Sequence, residues 1–247
     1  METAIIAAAL ICGKRKVKKM KIKRRKEHGN TLVSGRNGFT LAEVLITLVI
    51  IGVIAALTIP TLIQNTQKQE FVTGLKKAYS TLSQVTQQII TEEGSPKGDD
   101  GWAKDIETIY HMYRKYLNNI KECGSGTGCF GQMKNGVYKN LDNSDVTWSA
   151  ESSSYRKLIL ADGTQVMFAN ASNNCTGNWI GSADVCAHIF VDINGEKTPN
   201  KRGRDLFTFD LKENGLYPAG CNVDDCIGNK QGTGCTCKVL REGAMNY

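Results

Sequence analysis

The sequence predicts an α+β fold: a long N-terminal helix followed by a small antiparallel sheet. Three observations carry this reading. An apolar run begins at Phe39, and after Pro60 it passes into a stripe at helical spacing. Alternating, β-rich runs bounded by turn residues appear only in the second half of the chain. Helix first and strands later, without βαβ alternation, place the sheet in an α+β arrangement.

The apolar run comes first. From Val44 to Ile63 it is broken only by Thr, Gly and Pro. Counted from Phe39 it has 25 residues, roughly 37 Å as a helix, enough to cross a hydrocarbon core of about 30 Å. Its N-terminal flank is basic. Residues 1–38 hold eleven Lys or Arg, Lys14 through Lys26 plus Arg36, against the two acids Glu2 and Glu27. From Phe39 onward there are 20 basic and 22 acidic residues, a net of −2 in a chain whose total is +7. The basicity therefore belongs to the N-terminal segment and gives no support to general nucleic-acid binding by the body. A basic flank predicts a cytoplasmic N-terminal side and an extracytoplasmic remainder. The cysteines agree. Cys12 precedes the run, and Cys123, Cys129, Cys175, Cys186, Cys221, Cys226, Cys235 and Cys237 follow it, an even number that suits disulfides in an oxidising compartment. A secretory signal peptide would be shorter and would end in small residues at a cleavage site. Here Pro60 and then Gln64-Asn65-Thr66-Gln67 close the run, and the better junction for cleavage, Gly38-Phe39, precedes it. One acid, Glu43, stands near the start of the run. An ionised acid at mid-membrane costs about 2.5–3.5 kcal/mol, so it needs a partner or a place at the interface.

The stretch GFTLAEVLITLVIIGVIAALTIP, from Gly38 to Pro60, resembles the N-terminal segment of type IV pilin-like proteins, the class that includes the pseudopilins of type II secretion and the competence pilins. The resemblance covers about a quarter of the chain that follows Gly38 and implies specific roles. Gly38 matches the residue before the cut made by a prepilin peptidase. Phe39 matches the new, methylated N-terminus. Glu43 matches the acid that neutralises a neighbouring subunit's terminal amine as a filament grows, and Pro60 the proline that kinks the helix, with Gly52 bracketing the weak stretch. Other pilin or pseudopilin subunits, the peptidase and an inner-membrane assembly platform are the implied partners. The precursor belongs in a bacterial cytoplasmic membrane, and the product in a cell-surface filament or a periplasmic pseudopilus. The leader is long, and Met20 offers an alternative start.

Four segments follow. Residues 1–38 form a leader removed on processing, 39–63 a membrane and filament-core helix, 64–93 its amphipathic continuation, and 94–247 an extracytoplasmic, disulfide-containing α+β domain. In the third, Phe71, Leu75, Tyr79, Leu82, Val85 and Ile89 recur at spacings of three and four until Gly94-Ser95-Pro96. Trp102, Ile106, Ile109, Tyr113, Leu117 and Ile120 predict a second helix over about 102–121 whose aromatics serve packing rather than a ligand cage. RKLILADGTQVMFAN reads as a hairpin around Asp162-Gly163, HIFVDI (188–193) and DLFTFDL (205–211) as further strands, and Asn214-Gly215 as a turn.

The loop between those last two strands offers Asp192, Asn194, Glu196, Asn200 and Asp205, hard oxygen ligands of the kind Ca²⁺ takes, with Asp192, Asn194 and Asp205 as the leading set. Some pseudopilins carry calcium in such a loop. The competing reading is a turn-rich loop serving its own backbone, with no cofactor. Lys197, Lys201, Arg202 and Arg204 in the same loop are either a solvated face or a contact to DNA phosphates, as in competence pilins. Cys123–Cys129 and Cys175–Cys186 are the local disulfide candidates; the four C-terminal cysteines suit disulfides or zinc. The three histidines, His28, His111 and His188, have no nucleophile near them in sequence, and the chain reads as a structural subunit rather than an enzyme.

Overall fold

The computed structural model describes residues 38–131, 136–147, 150–170, 172, 174–179, 181–222, 226 and 231–247. The basic leader up to residue 37, with Met20, Cys12 and His28, lies outside the described residues. The chain divides between Ile50 and Ile51 into two units, and the second, Ile51–Tyr247, holds the sheet.

Helix α1 runs from Leu41 to Glu93 with Pro60 inside it. Its later turns bury Val72, Leu75, Ala78, Leu82, Val85 and Ile89. This is the expected stripe shifted by one residue at its start, with Phe71 and Tyr79 packed at its margin. A short segment pinned by the Trp102 indole, which donates to Gly94 O at 2.9 Å, leads into α2, Ile106–Tyr116. That helix is shorter than the spacing predicts. Asp105 caps its start by accepting from Thr108 N at 2.7 Å, and at Leu117 the backbone is already extended. Ile120 thus leaves the helical stripe and stands exposed on β1, Asn119–Gly124.

The remaining strands are β2 (Tyr155–Leu160), β3 (Gln165–Asn170), β4 (Gly177–Trp179), β5 (Ser182–Val185), β6 (Ala187–Asp192), β7 (Leu206–Lys212) and β8 (Gly215–Pro218). Among the described residues, six of the strands form one antiparallel sheet in the order β1-β2-β3-β6-β7-β8, and β4–β5 form a separate hairpin. The β2–β3 turn uses Gly163 at φ +87°, where glycine is favoured, and Thr164 N donates to Asp162 Oδ1 at 3.0 Å. Alternate strand residues meet α1 and α2: Val166, Phe168, Ile189, Val191, Phe207 and Phe209 lie in one cluster with the helix stripes. Tyr79 stacks on Phe209 with ring centres 5.5 Å apart, and the Tyr113 hydroxyl lies 2.6 Å from Thr86 Oγ1, which joins α2 to α1 inside the core. The aromatics of the second stripe are therefore packing residues.

The other sheet face is covered as well. Met167, Ala169, Phe190 and Leu206 pack there with Phe130, Tyr138, Val146 and Ala150. Cover on both faces is why every residue of β6 is buried. That cover is irregular backbone, so it needs polar anchors from the sheet. Lys157, fully buried on β2, donates from Nζ to Gly126 O and to Ala150 O, each at 2.6 Å. Phe130 N donates to Gln165 Oε1. Burial holds the Lys157 pKa below its ordinary value.

All eight described cysteines are paired. Cys123–Cys129 closes the turn after β1, and Cys175–Cys186 joins the two feet of the β4–β5 hairpin. The nested pair Cys221–Cys237 and Cys226–Cys235 fastens the segment after β8 to α3, Cys235–Glu242. The C-terminal cysteines are thus disulfides, and the zinc alternative falls. Loop closure in the unfolded chain makes such crosslinks worth about 2–5 kcal/mol each. Cys226→Ser is expected to lower unfolding stability by that amount in a denaturant titration. In protein taken from its native compartment, the eight thiols are expected to resist alkylation until reduced.

Candidate functional site

The N-terminal end of α1 is built around Thr40 and Glu43. Glu43 N donates to Thr40 Oγ1 at 3.3 Å, and Glu43 Oε2 accepts from both Thr40 N and Thr40 Oγ1 at 2.8 Å. This is a reciprocal capping box: two backbone donors at the helix start are satisfied by each other's side chains, and the acid sits at the positive end of the helix dipole. The signature Thr-x-x-Glu stands in the sequence, but a reading of Glu43 for its charge alone passes over it. On both sides of this cap the apolar side chains are exposed: Phe39 before it is 88% exposed, and Leu57 and Leu62 after it 73% and 67%. Two of its hydroxyls are closed internally. Thr47 Oγ1 donates to Val44 O and Thr58 Oγ1 to Ile54 O, both at 2.9 Å, the condition a lipid environment imposes. A Cβ added at Gly38 or Gly52 would meet no atom within 4 Å.

The loop after β6 brings Asp192 and Asp205 together, both fully buried. The Tyr138 hydroxyl donates to Asp192 Oδ2, and Asn194 N to Asp192 Oδ1 at 3.2 Å. Asn200 N donates to Asp205 Oδ2 at 2.7 Å, and Lys201 N to Asp205 Oδ1 at 2.5 Å. All four carboxylate oxygens therefore already accept from protein donors. Asn194 Nδ2 donates to Lys197 O at 3.0 Å, while its Oδ1 is buried with no donor. Among the described residues, no group of three or more His, Cys, Asp or Glu side chains converges as a metal site would require.

Burial, and then the neighbouring Asp205 carboxylate, pushes Asp192 up to about 8; burial raises Asp205 to about 6. An unfolded Asp titrates near about 3.9. Between that value and pH 8 the folded chain holds protons that the unfolded chain has released, so stability falls as pH rises. With a chelator present, the melting temperature is expected to fall by several degrees between pH 5 and pH 8. Asp192→Asn, which stays neutral throughout, is expected to flatten that slope. A slope unchanged by the substitution would remove Asp192 from this role.

The four basic residues of the loop do not form one surface. Arg202 is buried, whereas Lys201 and Arg204 line a groove with Lys68 from α1, and Lys197 lines the groove beside it. Of the two readings of this cluster, neither one solvated face nor one phosphate contact takes in all four residues, because Arg202 is buried. His188 Nδ1 meets Asp210 Oδ1 across β6–β7 at 2.9 Å, and His111 pairs with Glu107 at 3.1 Å on the surface of α2. Neither histidine adjoins a free thiol, because the described cysteines are in disulfides.

A long apolar N-terminal helix, capped by Thr40 and Glu43 and followed by a disulfide-laced antiparallel sheet, defines an α+β protein whose N-terminal helix is long and apolar enough to cross a membrane. Residues 33–59 match the prokaryotic N-terminal methylation motif, the signal characteristic of type IV pilins and pseudopilins, so the chain is pilin-like and prepilin-type. The chain belongs to a family of unknown function, DUF6613, whose model matches residues 61–229. No curated protein and no solved structure shows a match.

Proposed function

We propose that this chain is a minor subunit of a type IV pilus or of a type II secretion pseudopilus. The observation that carries the proposal is the exposed apolar helix from Leu41 to Ile63, bearing the methylation motif, with Glu43 at its start. The precursor crosses the cytoplasmic membrane once, with its basic leader inside and its cystine-rich domain outside. It is cut after Gly38, methylated at Phe39 and joined to neighbouring subunits through Glu43, with Gly52 and Pro60 letting the helix bend. Intact-mass and N-terminal analysis of protein from its native envelope is expected to find N-methylphenylalanine from position 39. An uncut N-terminus would overturn the proposal and leave a membrane-anchored extracytoplasmic binding protein.

Calcium at Asp192, Asn194 and Asp205 is a second proposal, supported by the buried, donor-less Oδ1 of Asn194, whose backbone N–H donates to Asp192. A cation would compete with protons for the pair. Added Ca²⁺ is then expected to raise the melting temperature at pH 8 and not at pH 5; no rise at pH 8 would overturn it.

A further inference from the structure

Immediately beyond the apolar turns that end at Ile63, the domain carries a groove of about 410 Å³ whose lining includes Gln64, Lys68, Phe71, Thr198, Lys201 and Arg204. The lining contains three cations and no acid. Lys201 Nζ donates to Asn143 Oδ1 at 2.5 Å, and Arg204 donates to the main-chain oxygen of Tyr247 at 3.3 Å with its guanidinium 5.9 Å from that ring's centre. Among the described residues, none of the three cations is paired with an Asp or Glu. The nearest acid on the loop, Asp205, is fully buried and accepts from the backbone N–H groups of Asn200 and Lys201 rather than from a lining cation; Glu70 faces the adjoining groove with Lys197, and Glu196 is exposed.

We propose that this groove holds the phosphate of an anionic lipid headgroup in the extracytoplasmic leaflet. The inference rests on the reading of the apolar segment as a membrane span. Its argument is level and charge. Ile59, Leu62 and Ile63 are each more than half exposed, so the hydrocarbon boundary falls near Ile63. Headgroups occupy about 5–7 Å on each side of the core. Lys68 lies five residues past Ile63, roughly 7.5 Å along the helix. The groove therefore opens at phosphate depth. Lys68, Lys201 and Arg204 supply the countercharge, Thr198 and the glutamine amides supply neutral donors, and Phe71 supplies an apolar wall for the glycerol end. A nucleic-acid duplex, with one charge per about 1.7 Å, fits less well: it would meet a body of net −2 and a patch only three cations wide.

The full-length chain is placed in nanodiscs of phosphatidylcholine alone or with phosphatidylglycerol, and amide exchange is followed at residues 64–71 and 198–204. Each basic side chain near an anionic surface strengthens contact about fivefold. With three such side chains, exchange in both segments is expected to slow by up to about a hundredfold in the anionic discs. The slowing is expected to vanish in about 0.5 M salt and in the triple variant K68Q/K201Q/R204Q, whose β6–β7 exchange stays unchanged. The salt dependence of the wild type decides the matter if that variant fails to fold. Equal exchange in both lipids, with the protein incorporated, overturns the inference and leaves the span standing. Protein that never enters the discs overturns both. Equal protection by duplex DNA in phosphatidylcholine discs reassigns the groove to nucleic acid and overturns the lipid proposal.

Discussion

Cells producing Gly38→Leu are expected to accumulate the full-length chain in the cytoplasmic membrane, with trimming reduced by roughly a hundredfold or more, equivalent to about 3 kcal/mol at the cleavage step. Residues 38–40 lie outside the helix and are exposed, as a backbone offered to a peptidase needs to be. Glycine lets that backbone approach closely; a branched side chain at the residue before the cut does not. The fold gives no competing explanation, because a Cβ at Gly38 would meet no atom within 4 Å. A loss of processing then arises in the encounter with the peptidase and not in the folding of the substrate. Intact-mass spectrometry reads the result directly, since precursor and product differ by residues 1–38. Gly38→Ala, the smaller change, is expected to slow trimming without abolishing it. Normal trimming of Gly38→Leu would remove Gly38 from the role the motif gives it.

Local pattern made the framework legible. The stripe from Phe71 to Ile89 is set by a period of 3.6, and the structure buries it on the sheet with a shift of one residue. The Asp162-Gly163 hairpin and the strands around Ile189 and Phe207 were equally plain, because alternation and turn residues are local signals. The second helix was overextended, since Ile120 continues the spacing while Asp105 and Leu117, a cap and an extended residue, set the real ends. The irregular cover of the second sheet face gave no periodic signal. Lys157 reads as a surface lysine in any sequence scan, yet it holds that cover by two carbonyls. The same blindness applies to Asp192 and Asp205: their common loop was visible, but only the tertiary fold buries both and puts Tyr138 against one of them. The nested C-terminal disulfides also depend on where α3 sits after β8, which spacing alone leaves open.

Glu43→Gln is expected to separate two duties of one side chain. As a cap, Glu43 accepts from Thr40 N and Thr40 Oγ1. Glutamine serves at this position of a capping box as well, so helix start, insertion and cleavage are expected to persist. In the assembly proposed above, Glu43 would also serve as a charge, set against the amine that cleavage would create at a neighbour's Phe39, in a core with little water. Removing one partner of a buried ion pair costs about 3–5 kcal/mol, which is upward of a hundredfold in incorporation at about 1.4 kcal/mol per tenfold. The expected phenotype is processed subunit retained in the membrane and nearly absent from sheared filaments. Thr40→Ala makes the opposite cut: it removes hydroxyl contacts of the cap, worth about 0.5–2 kcal/mol, and leaves the carboxylate. That variant is expected to assemble close to normally. If Glu43→Gln assembles like wild type and is processed normally, capping is the residue's main work and the assembly role falls. One geometry escapes that outcome, a subunit at the filament tip with no neighbour ahead of it, and crosslinking from Phe39 to a following subunit identifies it.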